Sequence, residues 1–335
     1  MTERPAARER GTRRLTIAAL SGALALAVAS TVAGPAAPAR DLVRADDVAG
    51  AEPWFELAVG EGERRGTVAV RRGSGALAAG DEAVARWVRR NADAVGAYFG
   101  GLPVRRVEVT IRPVAGDDRI HGTTFGHGPA RIEMRLGSEV VEADLADDWV
   151  LPHELCHLAL PSVPEESHWL EEGMATYVEP VARVRAGAIP EERFWRELVR
   201  GLPQGQPRRG DRGLDRTPTW ARTYWGGALF CFVADVEIRR RTDNRHGLED
   251  ALRGVIAAGG HIERRWRLAD VLAAADGAVG VPVLAELHAR MGREPVEVDL
   301  EDYWRRLGVV RGRRGRVAFD DAAPWAAIRR AITAP

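Results

Sequence analysis

The residues of this sequence best suited to chemistry lie together in the stretch Leu151-Pro152-His153-Glu154-Leu155-Cys156-His157-Leu158. Each helical residue turns about 100°, so His153 and His157 would lie about 40° apart on one face, where two imidazoles can bind the same Zn²⁺. Glu154 would lie about 100° from His153, close enough to reach a water beside the metal without binding the metal itself. The spacing therefore predicts a zinc site for hydrolysis with Glu154 as general base. The alternative is an amphipathic helix with two surface histidines.

A catalytic zinc also needs a third protein ligand and one open position for water. The tight pattern His-x-x-Gly-x-x-His is absent, because Leu160 and Val163 occupy its glycine and its last histidine. We therefore expect a carboxylate from a following helix, and Trp169-Leu170-Glu171-Glu172-Gly173-Met174-Ala175 offers one.

At this point the sequence resembles the gluzincin metallopeptidases. In their aminopeptidase N and glycyl aminopeptidase branches, His-Glu-x-x-His is followed by Trp-Leu-x-Glu-Gly-x-Ala, whose glutamate before glycine is the third ligand. The resemblance implies a thermolysin-like zincin fold and one Zn²⁺ bound by His153, His157 and Glu172. Only 14 residues separate His157 from Glu172, against about 18 in those branches. This short spacing is more similar to that of compact peptidase MA-like domains. Other candidates for the third ligand are Glu165, Glu166, His168 and Glu171.

A second motif, Tyr224-Trp225-Gly226-Gly227-Ala228-Leu229-Phe230, resembles the Tyr-x-x-Gly-Ala-Leu helix of glycyl aminopeptidases. The resemblance implies that Tyr224 donates a hydrogen bond to the oxyanion, a contribution of about 3 kcal/mol. The alternative is that Tyr224 only packs at a helix start. Gly226 and Gly227 would let this helix approach the zinc-motif helix closely.

The substrate is less defined than the metal site. The Gly-x-Met-Glu-Asn element that binds a free substrate N-terminus in aminopeptidases is missing, so exopeptidase action is not implied. The predicted strand at 131–136 is either a sheet edge for an extended peptide or an ordinary strand. His121, His127 and His168 either line the cleft or are plain surface histidines.

The composition excludes some classes of protein. The chain has 335 residues, enough for one or two domains, with 48 basic and 48 acidic residues. This balance argues against nucleic-acid binding. The two cysteines, Cys156 and Cys231, do not make a disulfide scaffold, and they either form one disulfide or remain two buried thiols.

The N-terminus predicts export. A basic region is followed by an apolar stretch at 15–34 and by the small-x-small site Ala37-Pro38-Ala39. We interpret residues 1–39 as a signal peptide and 40–52 as a linker. The alternative is an uncleaved membrane anchor at 15–34, which would tether the protein to a membrane.

The periodicity of the remainder predicts an α+β fold, with a small mixed sheet first and helices after it. Residues 53–137 form the N-terminal α/β half, and 138–335 form the helical half with the zinc site. The predicted strands are 54–59, 66–70, 104–111, 131–136 and 315–319, and Gly-rich loops cover 121–130 and 201–218. The predicted helices are 81–99, one from about 147 with Pro152 as a kink or late start, 166–178, 219–241, 248–258, 268–275, 283–291, 300–307 and a short last helix.

Together these features predict an exported zinc metallopeptidase that acts on a peptide or protein substrate. Two alternatives stay open. One is a non-catalytic binding protein with a zincin fold, and the other is a zinc hydrolase with a non-peptide substrate.

Overall fold

A mixed five-stranded sheet forms the first part of the computed structural model, which describes residues 53–126 and 128–335. The predicted signal peptide and linker, and His127, lie outside the described residues. The strands follow the order β1-β2-β3-β5-β4: β1 (Phe55–Val59), β2 (Gly66–Arg72), β3 (Arg106–Val114), β4 (Ile120–Phe125) and β5 (Arg131–Gly137). β2, β3 and β5 are parallel, whereas β1 and β4 are antiparallel strands at the two edges.

Strand β4 corrects the sequence analysis, which assigned a Gly-rich loop to 121–130. Thr123, Thr124 and Phe125 favour extended backbone, and β4 pairs with β5 along its whole length. β5 therefore lies between β3 and β4, and the prediction that 131–136 could be a sheet edge is wrong. The edge strand on this side is β4.

Helix α1 (Asp81–Phe99) packs on the sheet through the apolar face that its 3.6-residue periodicity predicts. Val84, Trp87, Val95 and Phe99 of this helix are buried together with the valines and isoleucines of β2, β3 and β5. The helix ends at Gly100, whose φ of 74° is the left-handed conformation that glycine adopts without strain.

The rest of the described chain is mostly helical, as predicted. The helices are α2 (Glu142–Asp147), α3 (Val150–Cys156), α4 (His168–Arg185), α5 (Glu191–Gly201), α6 (Gly227–Arg241), α7 (Leu248–Ala257), α8 (Leu268–Val279), α9 (Val283–Met291), α10 (Leu300–Leu307) and α11 (Ala326–Thr333). A small hairpin of β6 (Val309–Arg311) and β7 (Val317–Phe319) precedes α11. Sequence analysis assigned no element to α5. None of the described helices is long and apolar enough to cross a membrane.

The zinc-motif helix α3 starts late. Asp148 accepts hydrogen bonds from the backbone N–H groups of Val150 and Leu151 at 2.9 and 3.1 Å, and from the Trp87 indole at 3.0 Å. Pro152 then lies in the first turn, where its missing N–H costs no helical hydrogen bond. The late start, one of the two predicted consequences of Pro152, is therefore the observed one.

The helix predicted at 219–241 is interrupted. Residues Arg222–Gly226 form a π-helical turn before the regular helix α6. A side chain on Gly227 would collide with the carbonyl oxygen of Trp169 and approach the Cα of Gly173 at 2.7 Å, and both of these residues belong to α4. Gly226 faces Leu214 and Arg222 instead. The close approach predicted for these glycines is thus made by Gly227 with α4, and not with α3.

Cys156 and Cys231 are both buried free thiols. Burial raises the pKa of the Cys156 thiol well above its ordinary value, because the charged thiolate is poorly solvated there.

Candidate metal centre

Three side chains from α3, the turn after it and α4 converge on one point. His153 Nε2 lies 3.3 Å from Glu172 Oε2, and His157 Nε2 lies 3.7 Å from the same oxygen. All three ligand atoms are within 4.8 Å of one another. Ligands that each lie about 2.1 Å from one tetrahedral zinc are about 3.4 Å apart, so the two shortest separations fit this ion without rearrangement. In the described chain this is the one group of three such side chains with that proximity.

The connector between His157 and Glu172 is short but sufficient. A single 3-10 turn, His157–Ala159, continues α3, and a second, Glu165–Ser167, leads directly into α4. Because α4 begins at His168, Glu172 lies one turn into the helix and faces back toward His153. The 14-residue gap therefore brings the third side chain to the two histidines.

The electrostatic environment of Glu172 keeps its carboxylate ionised, as a ligand of a cation must be. Burial alone would raise the pKa of this carboxyl, but the neighbouring His157 and hydrogen bonds from His153 and His168 outweigh burial and hold the pKa well below its usual range. Burial acts to lower the pKa of His153, but the hydrogen bond between His153 and Glu172 outweighs burial, and the pKa of His153 is raised. Glu172 is therefore an ionised carboxylate held against two imidazoles, in a place where a divalent cation satisfies all three groups.

Glu154 lies beside this group without joining it. Thr124 Oγ1, on β4, is 2.7 Å from Glu154 Oε2 and 2.9 Å from the Glu154 carbonyl oxygen, and its one proton can be donated to either. A side chain on Gly122 of the same strand would lie 2.5 Å from Glu154 Cγ. Gly122 leaves space for the carboxylate, and Thr124 orients it. Sequence analysis missed both residues because their strand was assigned to a loop.

Tyr224 lies beside His153, in the π-helical turn. The two rings stack with centroids 6.4 Å apart, and the Trp220 ring also stacks on Tyr224, with centroids 5.6 Å apart. Burial raises the pKa of the Tyr224 hydroxyl far above its ordinary value, and the negative charge of Glu172 adds to the shift. The hydroxyl is therefore protonated at neutral pH and lies close enough to Glu172 to donate a hydrogen bond to it. π-helical turns frequently occur at functional sites.

The other candidates for the third ligand do not belong to the converging group of His153, His157 and Glu172. Glu171 Oε1 accepts the backbone N–H of Val163 at 2.8 Å, and its other oxygen is 2.8 Å from His168 Nδ1. His168 Nε2 in turn lies 3.3 Å from Glu172 Oε1. Hydrogen bonds to Glu171 and Glu172 raise the pKa of His168 to about 10. Glu165 and Glu166 are exposed, and His121 lies half-buried on β4.

Comparison with known proteins identifies the fold. The sequence matches no protein-family model, and a search of curated proteins likewise gives no match. Among solved structures, an aminopeptidase N family protein from Idiomarina loihiensis superposes on 76% of this chain with a TM-score of 0.56 at 13% identity. An M1 zinc metallopeptidase from Deinococcus radiodurans superposes on 73% of the chain with a TM-score of 0.45 at 15% identity. At such identities the first likeness establishes a shared fold.

The chain covers only part of these structures. It spans 49% of the Idiomarina protein and 54% of the Deinococcus protein. The small N-terminal sheet and the mostly helical remainder are thus an α+β fold of the kind found in an aminopeptidase N family protein, within a shorter chain.

Proposed function

We propose that this protein is an exported zinc metallopeptidase with a zincin fold, in which His153, His157 and Glu172 hold one Zn²⁺. One observation carries the proposal: the two imidazoles and the carboxylate converge within 4.8 Å, with Glu154 next to His153 in the chain and Tyr224 stacked on the His153 ring. The shared fold with an aminopeptidase N family protein supports it. Export is proposed from the N-terminal sequence.

The donor set fits zinc. Two neutral imidazole nitrogens and one carboxylate oxygen are a common ligand set of catalytic zinc, and they leave a fourth position open. A zinc ion there would supply a Lewis acid that polarises the scissile carbonyl and activates a water.

The protein side chains then divide the proton transfers between them. Glu154, oriented by Thr124, takes a proton from the attacking water and gives it to the leaving amine. Tyr224, protonated and stacked against His153 and Trp220, donates a hydrogen bond to the oxyanion. The substrate is a peptide or protein chain.

Mass-spectrometric mapping of cleavage products from a proteome-derived peptide pool tests the proposal. The protein is assayed as purified, after removal of metal by a chelator, and after one equivalent of Zn²⁺ is restored. We expect cleavage that disappears with the metal and returns with it. One bound zinc without any peptide cleavage would contradict the peptidase and favour a zinc hydrolase of another substrate. The absence of both zinc binding and cleavage would favour a non-catalytic binding protein.

A further inference from the structure

A chain of polar contacts runs from the connector before α4 to the carboxylate of Glu172. The backbone N–H of Val163 donates to Glu171 Oε1 at 2.8 Å, and Glu171 Oε2 pairs with His168 Nδ1 at 2.8 Å. His168 Nε2 then contacts Glu172 Oε1 at 3.3 Å. We propose that His168 is a positioning residue, which fixes Glu172 so that one oxygen alone is presented to the metal. This role rests on the proposed zinc site.

The spacing of the three residues makes the arrangement possible. His168 is the first residue of α4, and residues three and four positions later lie on the same helix face. Its two ring nitrogens each face a carboxylate oxygen, at 2.8 Å on Glu171 and 3.3 Å on Glu172, so the ring bridges the two side chains. Glu171 is thereby tied both to His168 and to the backbone of the short connector.

The consequence concerns the two oxygens of Glu172. Oε2 faces His153 and His157, whereas Oε1 faces His168. A carboxylate with one oxygen held by a donor binds a metal through the other oxygen, and this keeps a coordination position free for water. Without the donor, Glu172 can rotate and offer both oxygens to the ion.

His168 is a poor candidate for a core-packing residue. Its side chain is 48% exposed, whereas that of Glu172 is 11% exposed. Truncation of His168 therefore removes little buried surface, and its main effect is the loss of the contact with Glu172.

The test compares full-length variants by their zinc dissociation constant, measured in competition with a chromophoric chelator. We expect His168→Ala to weaken zinc binding about tenfold or more, since loss of a partner that orients a ligand typically costs 10–100-fold. His168→Gln should stay within about threefold of wild type, because its amide N–H occupies nearly the same position as Nε2. Glu166→Ala is the matched control: it removes an exposed charge two residues away and should leave the affinity unchanged.

The visible spectrum of the Co²⁺-loaded protein gives a second readout, since it responds to the coordination number of the metal. The spectrum should change in His168→Ala and return to the wild-type form in His168→Gln. Equal thermal unfolding of the metal-free variants excludes a general loss of stability. Zinc affinity of His168→Ala within twofold of wild type would overturn the positioning role alone. A wild-type protein that binds no zinc would refute the proposed function and this role with it.

Discussion

Gly122→Ala is a sharp test of the position of Glu154, because it introduces a single methyl group next to this side chain. The new Cβ would lie 2.5 Å from Glu154 Cγ and 3.1 Å from Glu154 Cδ, whereas ordinary contacts begin at about 3.4 Å. Glu154 must therefore move by about 1 Å. A displacement of this size in a catalytic group can lower the rate about 100-fold. The backbone of Gly122 does not have a positive φ, so alanine is compatible with the strand itself.

The assay separates catalysis from metal binding and from folding. We expect kcat on a cleavable peptide to fall about 100-fold, while the protein still binds one zinc and loses about 1–3 kcal/mol of stability through overpacking. Thr123→Ala is the matched control on the same strand, because Thr123 is exposed and its neighbours on β4 face the site. It should retain kcat within about twofold. A Gly122→Ala enzyme with wild-type kcat would refute the placement of Glu154 as general base.

Three further predictions concern the ligand set, the helix crossing and a buried ion pair. Glu172→Ala should lose stoichiometric zinc in metal analysis after dialysis, and one full equivalent would reassign the third ligand. Gly227→Ala should lower the free energy of unfolding by about 1–3 kcal/mol, because α4 and α6 are in contact at this residue. The control Gly277→Ala, in open space on α8, should be neutral or stabilising by up to about 1 kcal/mol. Equal effects of the two substitutions would contradict the close contact between α4 and α6. Burial acts to raise the pKa of Glu249, but the Arg239 guanidinium, 2.7 Å away, outweighs burial and lowers it. The stability that this ion pair contributes is present above the unfolded pKa of about 4.5 and is lost as pH falls through the lower folded pKa. Glu249→Gln should therefore lower the free energy of unfolding in urea by about 3 kcal/mol at pH 7. An equal loss at pH 2 would contradict this role of the ion pair.

The local part of the site was predictable because helix geometry determines it. The four-residue spacing of His153 and His157 places both on one face whatever the rest of the fold does. Pro152 likewise restricts where the helix can begin, and the structure adopts the late start. Glu172 was predicted as the third ligand from a resemblance to gluzincin metallopeptidases. The structure brings its carboxylate close to both histidines, across a connector shorter than in the branches that the sequence resembles.

The parts that sequence analysis missed depend on contacts between distant segments. Strand β4 carries a glycine and a histidine that weaken any local strand pattern, and it is stabilised by pairing with β5 and packing on α3. Gly122 and Thr124 have no recognisable role until that packing is known. The same holds for Gly227, whose partner on α4 lies more than fifty positions earlier in the chain. The π-helical turn around Tyr224 was also missed, because sequence analysis assigned one continuous helix to 219–241.

The most direct test of the proposed mechanism is a paired measurement on Glu154→Gln. Zinc content and peptide turnover are determined on the same preparation, beside wild type. Glutamine keeps the size and the contact with Thr124 but cannot take a proton. The proposed mechanism predicts one bound zinc and a loss of turnover by at least about 100-fold. Turnover at the wild-type rate with zinc bound would contradict it.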